Sequence, residues 1–235
     1  ETWSSQDYGD WSGSIVASVA DPGRLYMGLL GFSCGGFPYE CYYPSSVLTS
    51  ANSGVDWEPI NSETDNPLLT AVPSPVLAGR VYVHRLYNPA WWFVSEDGGK
   101  NWVAHDYPVG SLVLDAQQAN WIYSLGKYSL DGGATWQTSP TPPCDATLLL
   151  AHPTKSRVLF AECQNNGLYR SDDGGQHWTS LVAGASFYLV ADESTPGRLL
   201  WIKDNELWAS TDDGLTWSLL NPEATQRQFL SILKN

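Results

Sequence analysis

The sequence predicts an all-β fold, a β-propeller of four-stranded antiparallel blades. Three observations predict it. One octamer recurs five times along the 235 residues, each interval holds the same succession of short apolar runs and turns, and a chain of this length suits a closed all-β ring.

The octamer reads Ser, any, Asp, any, Gly, any, any, Trp. It stands at 95–102 (SEDGGKNW), 129–136 (SLDGGATW), 171–178 (SDDGGQHW) and 210–217 (STDDGLTW), and at 50–57 (SANSGVDW) with Asn52 in place of the Asp. Its acids are Asp97, Asp131, Asp173 and Asp212, and its tryptophans Trp57, Trp102, Trp136, Trp178 and Trp217, separated by 45, 34, 42 and 39 residues. Within the octamer the Asp can accept backbone N–H bonds, the Gly allows positive φ and the Trp packs against sheet, so each copy is a hairpin between a third and a fourth strand.

The other strands follow in order. A first strand opens each unit: SIVASVA from Ser14, LLTAVPS from Leu68, SLVLDAQ from Ser111, TLLLAHP from Thr147 and FYLVADE from Phe187. After a turn rich in Pro and Gly comes Arg plus an apolar second strand, at Arg24, Arg80, Arg157 and Arg198, with Asn120 at that place in the third unit. A third strand (VLTS, WWFVS, KYS, GLYRS, ELWAS) leads into each octamer, and a fourth begins at its Trp. A lone meander of this kind has two edges and cannot bury its faces, whereas repetition around a ring solves both problems.

The repeats span approximately 14–60, 68–106, 111–140, 147–182 and 187–220 in a single domain of 1–235, with 1–13 and 221–235 as closing strands. Trp3 is placed like the start of a fourth strand, and Phe229 like the start of a first. Either these tails seal a five-bladed ring or they form two halves of an extra blade, or the chain is a fragment of a larger ring; five blades is the preferred reading.

Composition narrows the function. Twelve Lys+Arg against 25 Asp+Glu give a net charge of −13, which argues against nucleic acid and anionic membrane surfaces. No apolar run reaches the roughly 18 residues of a membrane span. The cysteines Cys34, Cys41, Cys144 and Cys163 form no CxxC pair, and the four histidines His84, His105, His152 and His177 are few and lack the usual zinc-ligand spacing, so neither a metal nor a cofactor is expected. Four cysteines allow three connectivities; joining nearest neighbours gives 34–41 and 144–163, and four free buried thiols is the alternative. Two disulfides would place the protein outside the cytosol, secreted, periplasmic or at the cell surface.

The octamers resemble the Asp-box (BNR) repeats of sialidases, sortilin-type receptors, some xyloglucan hydrolases and the photosystem II assembly/stability factor family. The last is the nearest match, in its compact units, its run of DGG-x-x-W boxes and its turn–Arg–apolar second strand. The resemblance implies a propeller acting as an extracytoplasmic scaffold without catalysis. Sialidases carry an Arg-Ile/Leu-Pro motif and three arginines around one carboxylate pocket; this chain has seven Arg, four of them before second strands by this alignment, and no such tripeptide.

Loops on a rigid scaffold are where binding is expected. The first unit has an insertion, Gly31 to Ser45, carrying Phe37, Tyr39, Tyr42 and Tyr43, with Cys34 and Cys41 positioned to staple it. The matching loop of the second unit adds His84, Arg85, Tyr87, Trp91 and Trp92. Aromatics beside an Arg make a platform for a protein partner or a sugar; the alternative is that they cover a blade edge. Acids such as Glu40, Asp65, Asp106, Glu162 and Asp204 could share the loop face and supply a glycosidase pair. The expectation is an exported, non-enzymatic scaffold that grips a protein partner. The alternatives are a lectin or glycosidase, or an assembly subunit whose terminal strands self-associate.

Overall fold

The structure, a computed structural model, describes residues 12–30, 33–35, 40–42, 45–60, 68–85, 92–105, 112–164, 166–184, 186–192, 195, 197–203 and 206–221. The questions of Trp3, of Phe229 and of ring closure lie outside them. Among the described residues every regular element is a strand, and the fold class is the expected one: all-β, with five four-stranded antiparallel blades of the propeller type. The chain divides into two compact units, Glu1–Val109 and Gly110–Asn235.

The first unit holds two blades. Blade 1 comprises β1 (Ser12–Ala17), β2 (Leu25–Leu30), β5 (Ser45–Ser50) and β6 (Glu58–Pro59), with a separate hairpin of β3 (Ser33–Gly35) and β4 (Glu40–Tyr42) inserted between β2 and β5. Blade 2 comprises β7 (Leu68–Pro73), β8 (Val81–Arg85), β9 (Trp92–Ser95) and β10 (Val103–His105).

The second unit holds three. Blade 3 is β11 (Val113–Leu114), β12 (Ile122–Ser124), β13 (Lys127–Ser129) and β14 (Gln137–Thr138). Blade 4 is β15 (Ala146–Ala151), β16 (Leu159–Cys163), β17 (Gly167–Ser171) and β18 (Thr179–Val182). Blade 5 is β19 (Ser186–Ala191), β20 (Leu199–Lys203), β21 (Glu206–Ser210) and β22 (Ser218–Asn221). Each blade is an antiparallel meander in chain order.

Burial explains the composition of the strands. The second strands β12 and β16 are buried along their whole length and are mostly apolar, with Ser124 and Glu162 the polar exceptions, whereas the fourth strands β6 and β14 are exposed edges. The core lies between blades. In the first unit Tyr26, Val47, Ala71, Val81 and Val83 pack together across blades 1 and 2. In the second, Tyr123, Leu149, Leu159 and Ala161 join blades 3 and 4, and Phe160, Leu168, Leu189, Leu199 and Trp201 join blades 4 and 5. Burying each Val, Leu or Phe among them contributes about 1.5–3 kcal/mol, so the seams hold these blades together as adjacent repeats stabilise one another in any repeat fold.

The five octamers fold alike. The Ser hydroxyl donates to the side chain two residues on and accepts the N–H of the Gly four residues on, as from Ser95 to Asp97 (2.8 Å) and from Gly99 to Ser95 (2.8 Å). The same pair of bonds recurs at Ser50, Ser129, Ser171 and Ser210. The indole N–H of Trp57, Trp102, Trp136 and Trp217 donates to the Gly carbonyl of its own octamer. That of Trp178 departs from the pattern: it donates to Pro140 O at 3.1 Å and so ties blade 4 to the segment leaving blade 3.

One more bond sets the register of each blade. The fourth residue of the octamer donates its N–H to the carbonyl two residues before the second strand, at Gly23, Gly79, Asn120, Arg157 and Gly197. Arg157 therefore aligns with the turn glycines, not with Arg24, Arg80 and Arg198, and it takes a left-handed conformation with φ of 65°. The expected equivalence therefore shifts by one residue in both the third and fourth units: Trp121 and Val158, not Asn120 and Arg157, stand where blades 1, 2 and 5 have Arg. The turn before β16 keeps its left-handed backbone with a non-glycine residue because Arg157 N–H is held by the Asp115 carboxylate of blade 3 at 2.8 Å.

Candidate functional site

Two neighbouring seams of the second unit show what a site requires, because one is closed and the other is open. Between blades 4 and 5 the Asp213 carboxylate accepts from His152 Nε2 at 2.7 Å and pairs with the Lys155 ammonium. His152 is buried, and its Nδ1 accepts the backbone N–H groups of Thr154 and Lys155 at 3.1 Å each, which leaves the proton on Nε2 for Asp213. Arg170 completes the closure: its guanidinium lies 5.8 Å over the Phe160 ring and donates to Asp213 O at 2.7 Å. Burial opposes the ionised form of Asp213, but the bonds from Lys155 and His152 outweigh it and lower its pKa.

Between blades 3 and 4 the equivalent positions differ in chemistry. Gly174 replaces Asp213, Tyr128 replaces Arg170, Trp121 replaces Val158 and Tyr123 replaces Phe160. With no side chain at 174 and no guanidinium at 128, the seam keeps a cleft of about 230 Å³. Trp121, Tyr128 and Leu130 line it from blade 3, and Arg157, Asp173 and Gln176 from blade 4. The Tyr123 ring lies against Gly174, where a Cβ would come within 3.1 Å of its Cε1.

The polar groups around this cleft are fixed from behind. Asp115 is buried and accepts from Tyr123 Oη (3.0 Å), Ser156 Oγ (2.9 Å) and Arg157 N (2.8 Å), so one carboxylate positions both the aromatic floor and the arginine. Burial, then the Asp115 charge, pushes the Tyr123 phenol well above its ordinary pKa, which leaves it a hydrogen-bond donor at any working pH. Arg157 Nη2 donates to Asp173 O at 2.9 Å. The Asp173 carboxylate turns into its own octamer, where it accepts from Ser171 Oγ, Gln176 N and His177 N and contacts His177 Nδ1 at 2.6 Å. Against the burial that raises it, the His177 bonds hold Asp173 at a pKa of about 2. The cleft thus offers three aromatic side chains with cationic and amide donors, and its carboxylate is engaged by its own octamer.

The residues expected to form a binding platform fall mostly beyond what the structure describes. Phe37, Tyr39, Tyr43, Tyr87 and Trp91 lie outside the described residues, as do the side chains of Tyr42 on β4 and of His84 and Arg85 on β8. Trp92 is described and is buried, with 3% of its surface exposed, on β9 opposite His84 and His105. Cys34 and Cys41 stand opposite each other in the β3–β4 register; their side chains are outside the described set. Cys144 and Cys163 form the expected disulfide, which ties the entry of β15 to the end of β16. Of the acids considered for catalysis, Asp65, Asp106 and Asp204 and the Glu40 side chain lie outside the description, and Glu162 is buried within β16. Among the described residues no group of three His, Cys, Asp or Glu side chains is gathered as a metal site would need.

The sequence did not single out Trp121, Tyr128 or Gly174. The signal was present as a break in the repeat, a Trp where other units carry Arg, but the one-residue misalignment of the second strands hid it.

Residues 127–138, which run from β13 through the blade 3 octamer into β14, match the BNR/Asp-box repeat. The chain carries Asp-box repeats. No curated protein matches it by sequence. Among solved structures, it is similar to the GH74 enzyme of Niastella koreensis (13% identity, 90% of this chain, 47% of that one, TM-score 0.51). It is also similar to an ancestral GH74 enzyme (15% identity, 88% and 30% coverage, TM-score 0.58). A third similar structure is YCF48 from Cyanidioschyzon merolae (12% identity, 92% and 89% coverage, TM-score 0.50). The chain therefore spans less than half the length of either GH74 enzyme. At these identities the likeness concerns the Asp-box propeller fold alone, a fold that carries both enzymes and proteins that are not enzymes.

Proposed function

We propose that this Asp-box protein is an exported, non-enzymatic scaffold that holds a protein partner. The observation that carries the reading is the state of six carboxylates among the described residues. The four box aspartates accept hydrogen bonds from their own turns, and Asp115 and Asp213 hold seams. Groups committed in this way to structure are poor general acids and bases, since catalysis needs a carboxylate facing the reacting bond. The Cys144–Cys163 disulfide supports an oxidising compartment, and the acidic surface keeps such a scaffold soluble and away from nucleic acid.

The test has two arms. Incubated with xyloglucan and other neutral β-glucans, the purified chain should release no reducing ends. A displayed peptide library selected on the folded chain should converge on a shared motif whose synthetic peptide binds saturably by calorimetry. Turnover of a polysaccharide, or a library that fails to converge, overturns the reading.

A further inference from the structure

The cleft between blades 3 and 4 has a chemistry that selects its occupant. At about 230 Å³ it is smaller than the roughly 300–1,000 Å³ of a drug-sized ligand site, so it takes one ring-sized group and what flanks it. Trp121, Tyr123 and Tyr128 line it, with the Tyr123 ring against Gly174. Its polar lining includes the Arg157 guanidinium and the Gln176 amide N–H groups as donors. Its Asp173 carboxylate is turned into the Asp box, and the Tyr128 phenol donates to Gln137, so the side-chain acceptors at hand are the Gln176 amide oxygen and the Tyr128 phenolic oxygen.

That balance discriminates among ligands. A sugar presents hydroxyls that donate as well as accept and needs acceptors in return. An acidic ligand would match Arg157 but must approach a chain of net charge −13. A proline-rich segment presents carbonyl acceptors, lacks the backbone N–H at every proline, and carries flat apolar rings that dock between aromatic side chains.

We propose that this cleft binds a proline-containing segment of the partner in the polyproline II conformation. The proposal rests on the protein-binding reading above. One pyrrolidine ring enters between Trp121 and Tyr128 against Tyr123, and Arg157 and Gln176 donate to the carbonyls that flank it. The next seam is filled: Asp213, Lys155 and Arg170 stand at the corresponding place between blades 4 and 5.

Calorimetry with decaproline tests it, with a Gly-Ser decamer, an acidic decapeptide and a cello-oligosaccharide as controls. Decaproline should bind saturably, and the Gly-Ser decamer should not. Trp121→Ala should weaken binding tenfold or more, and Arg157→Gln several-fold. Gly174→Asp copies the closed seam at a position where Asp213 already adopts φ of 61°, and it too should weaken binding tenfold or more. Circular dichroism confirms that each variant is folded; Trp121→Ala and Arg157→Gln keep the test decisive if Gly174→Asp disturbs Tyr123. Decaproline binding no better than the Gly-Ser decamer, or unaffected by Trp121→Ala, overturns the proposal. So does tighter binding of the acidic peptide or of the oligosaccharide. If decaproline fails while the library-selected peptide still binds, this inference falls and the scaffold reading stands.

Discussion

Asn52 Nδ2 donates to Asp56 Oδ2 at 2.8 Å, the reverse of the bond in the next Asp box, where Asn101 Nδ2 donates to Asp97 Oδ2 at 2.6 Å. The degenerate first box has therefore exchanged its acid and amide between the third and seventh positions and kept the bond. Asn52 Oδ1 still accepts Ser50 Oγ–H and Asp56 N–H, as the Asp oxygens do elsewhere.

This exchange makes a mutant cycle. Asn52→Asp alone sets two carboxylates against each other and should destabilise blade 1. Adding Asp56→Asn restores the arrangement of the second box and should recover the loss. Contacting pairs couple by about 0.5–3 kcal/mol, and urea unfolding of the two single variants and the double variant would read it; additive effects would show that the exchange is not compensatory.

Acid should weaken the fold through the boxes. Backbone and side-chain bonds from Asn101 hold Asp97 at a pKa of about 2, and bonds from Thr135 and Thr216 do the same for Asp131 and Asp212. These values lie below the roughly 3.9 of a free aspartate. The contribution is therefore complete above pH about 4 and lost as pH falls through about 2. Thermal melts between pH 5 and 2 should show a midpoint that declines most steeply in that window, and Asp212→Asn should make the decline shallower.

The seam between blades 4 and 5 depends on Asp213. Asp213→Ala would leave the Nε2–H of His152, which is 1% exposed, without its acceptor. An orphaned buried donor costs about 1–3 kcal/mol. Asp213→Asn, which keeps an acceptor oxygen, should cost less. Chemical denaturation compares the two, and equal losses would show that the charge and its pairing with Lys155 matter more than the acceptor.

The β16–β17 hairpin should not tolerate a side chain at 167. Gly167 has φ of 89°, and a Cβ there would collide with the Val182 carbonyl of β18. Gly167→Ala should cost more than the ~1 kcal/mol scale of ordinary glycine effects, because backbone on both strands must move. Loss of near-native melting temperature is the expected result, and a variant with unchanged stability would contradict the β17–β18 register.

The Asp boxes were legible in the sequence because their bonds close within eight residues: a hydroxyl, a carboxylate, a left-handed turn and an indole at fixed spacing specify the hairpin wherever they occur. The meander of short apolar strands was legible for the same reason, since alternation and turn residues act locally. The 144–163 disulfide could be offered only as one pairing among several, and the structure selected it for those two cysteines. Nothing local told that Arg157 takes a glycine's place in its turn. Asp115, on the neighbouring blade, decides that by holding its N–H.

The sequence by itself determined the blade: its four strands, its hairpin and the repetition that makes each blade need a neighbour. Only the tertiary structure decided which seam closes and which stays open, because that depends on the residues brought face to face from two blades. Asp213 meets His152 and Lys155 across one seam, while Gly174 meets Tyr123 across the other. Each of these pairs is distant in the chain, and no periodicity within a blade encodes what stands opposite it.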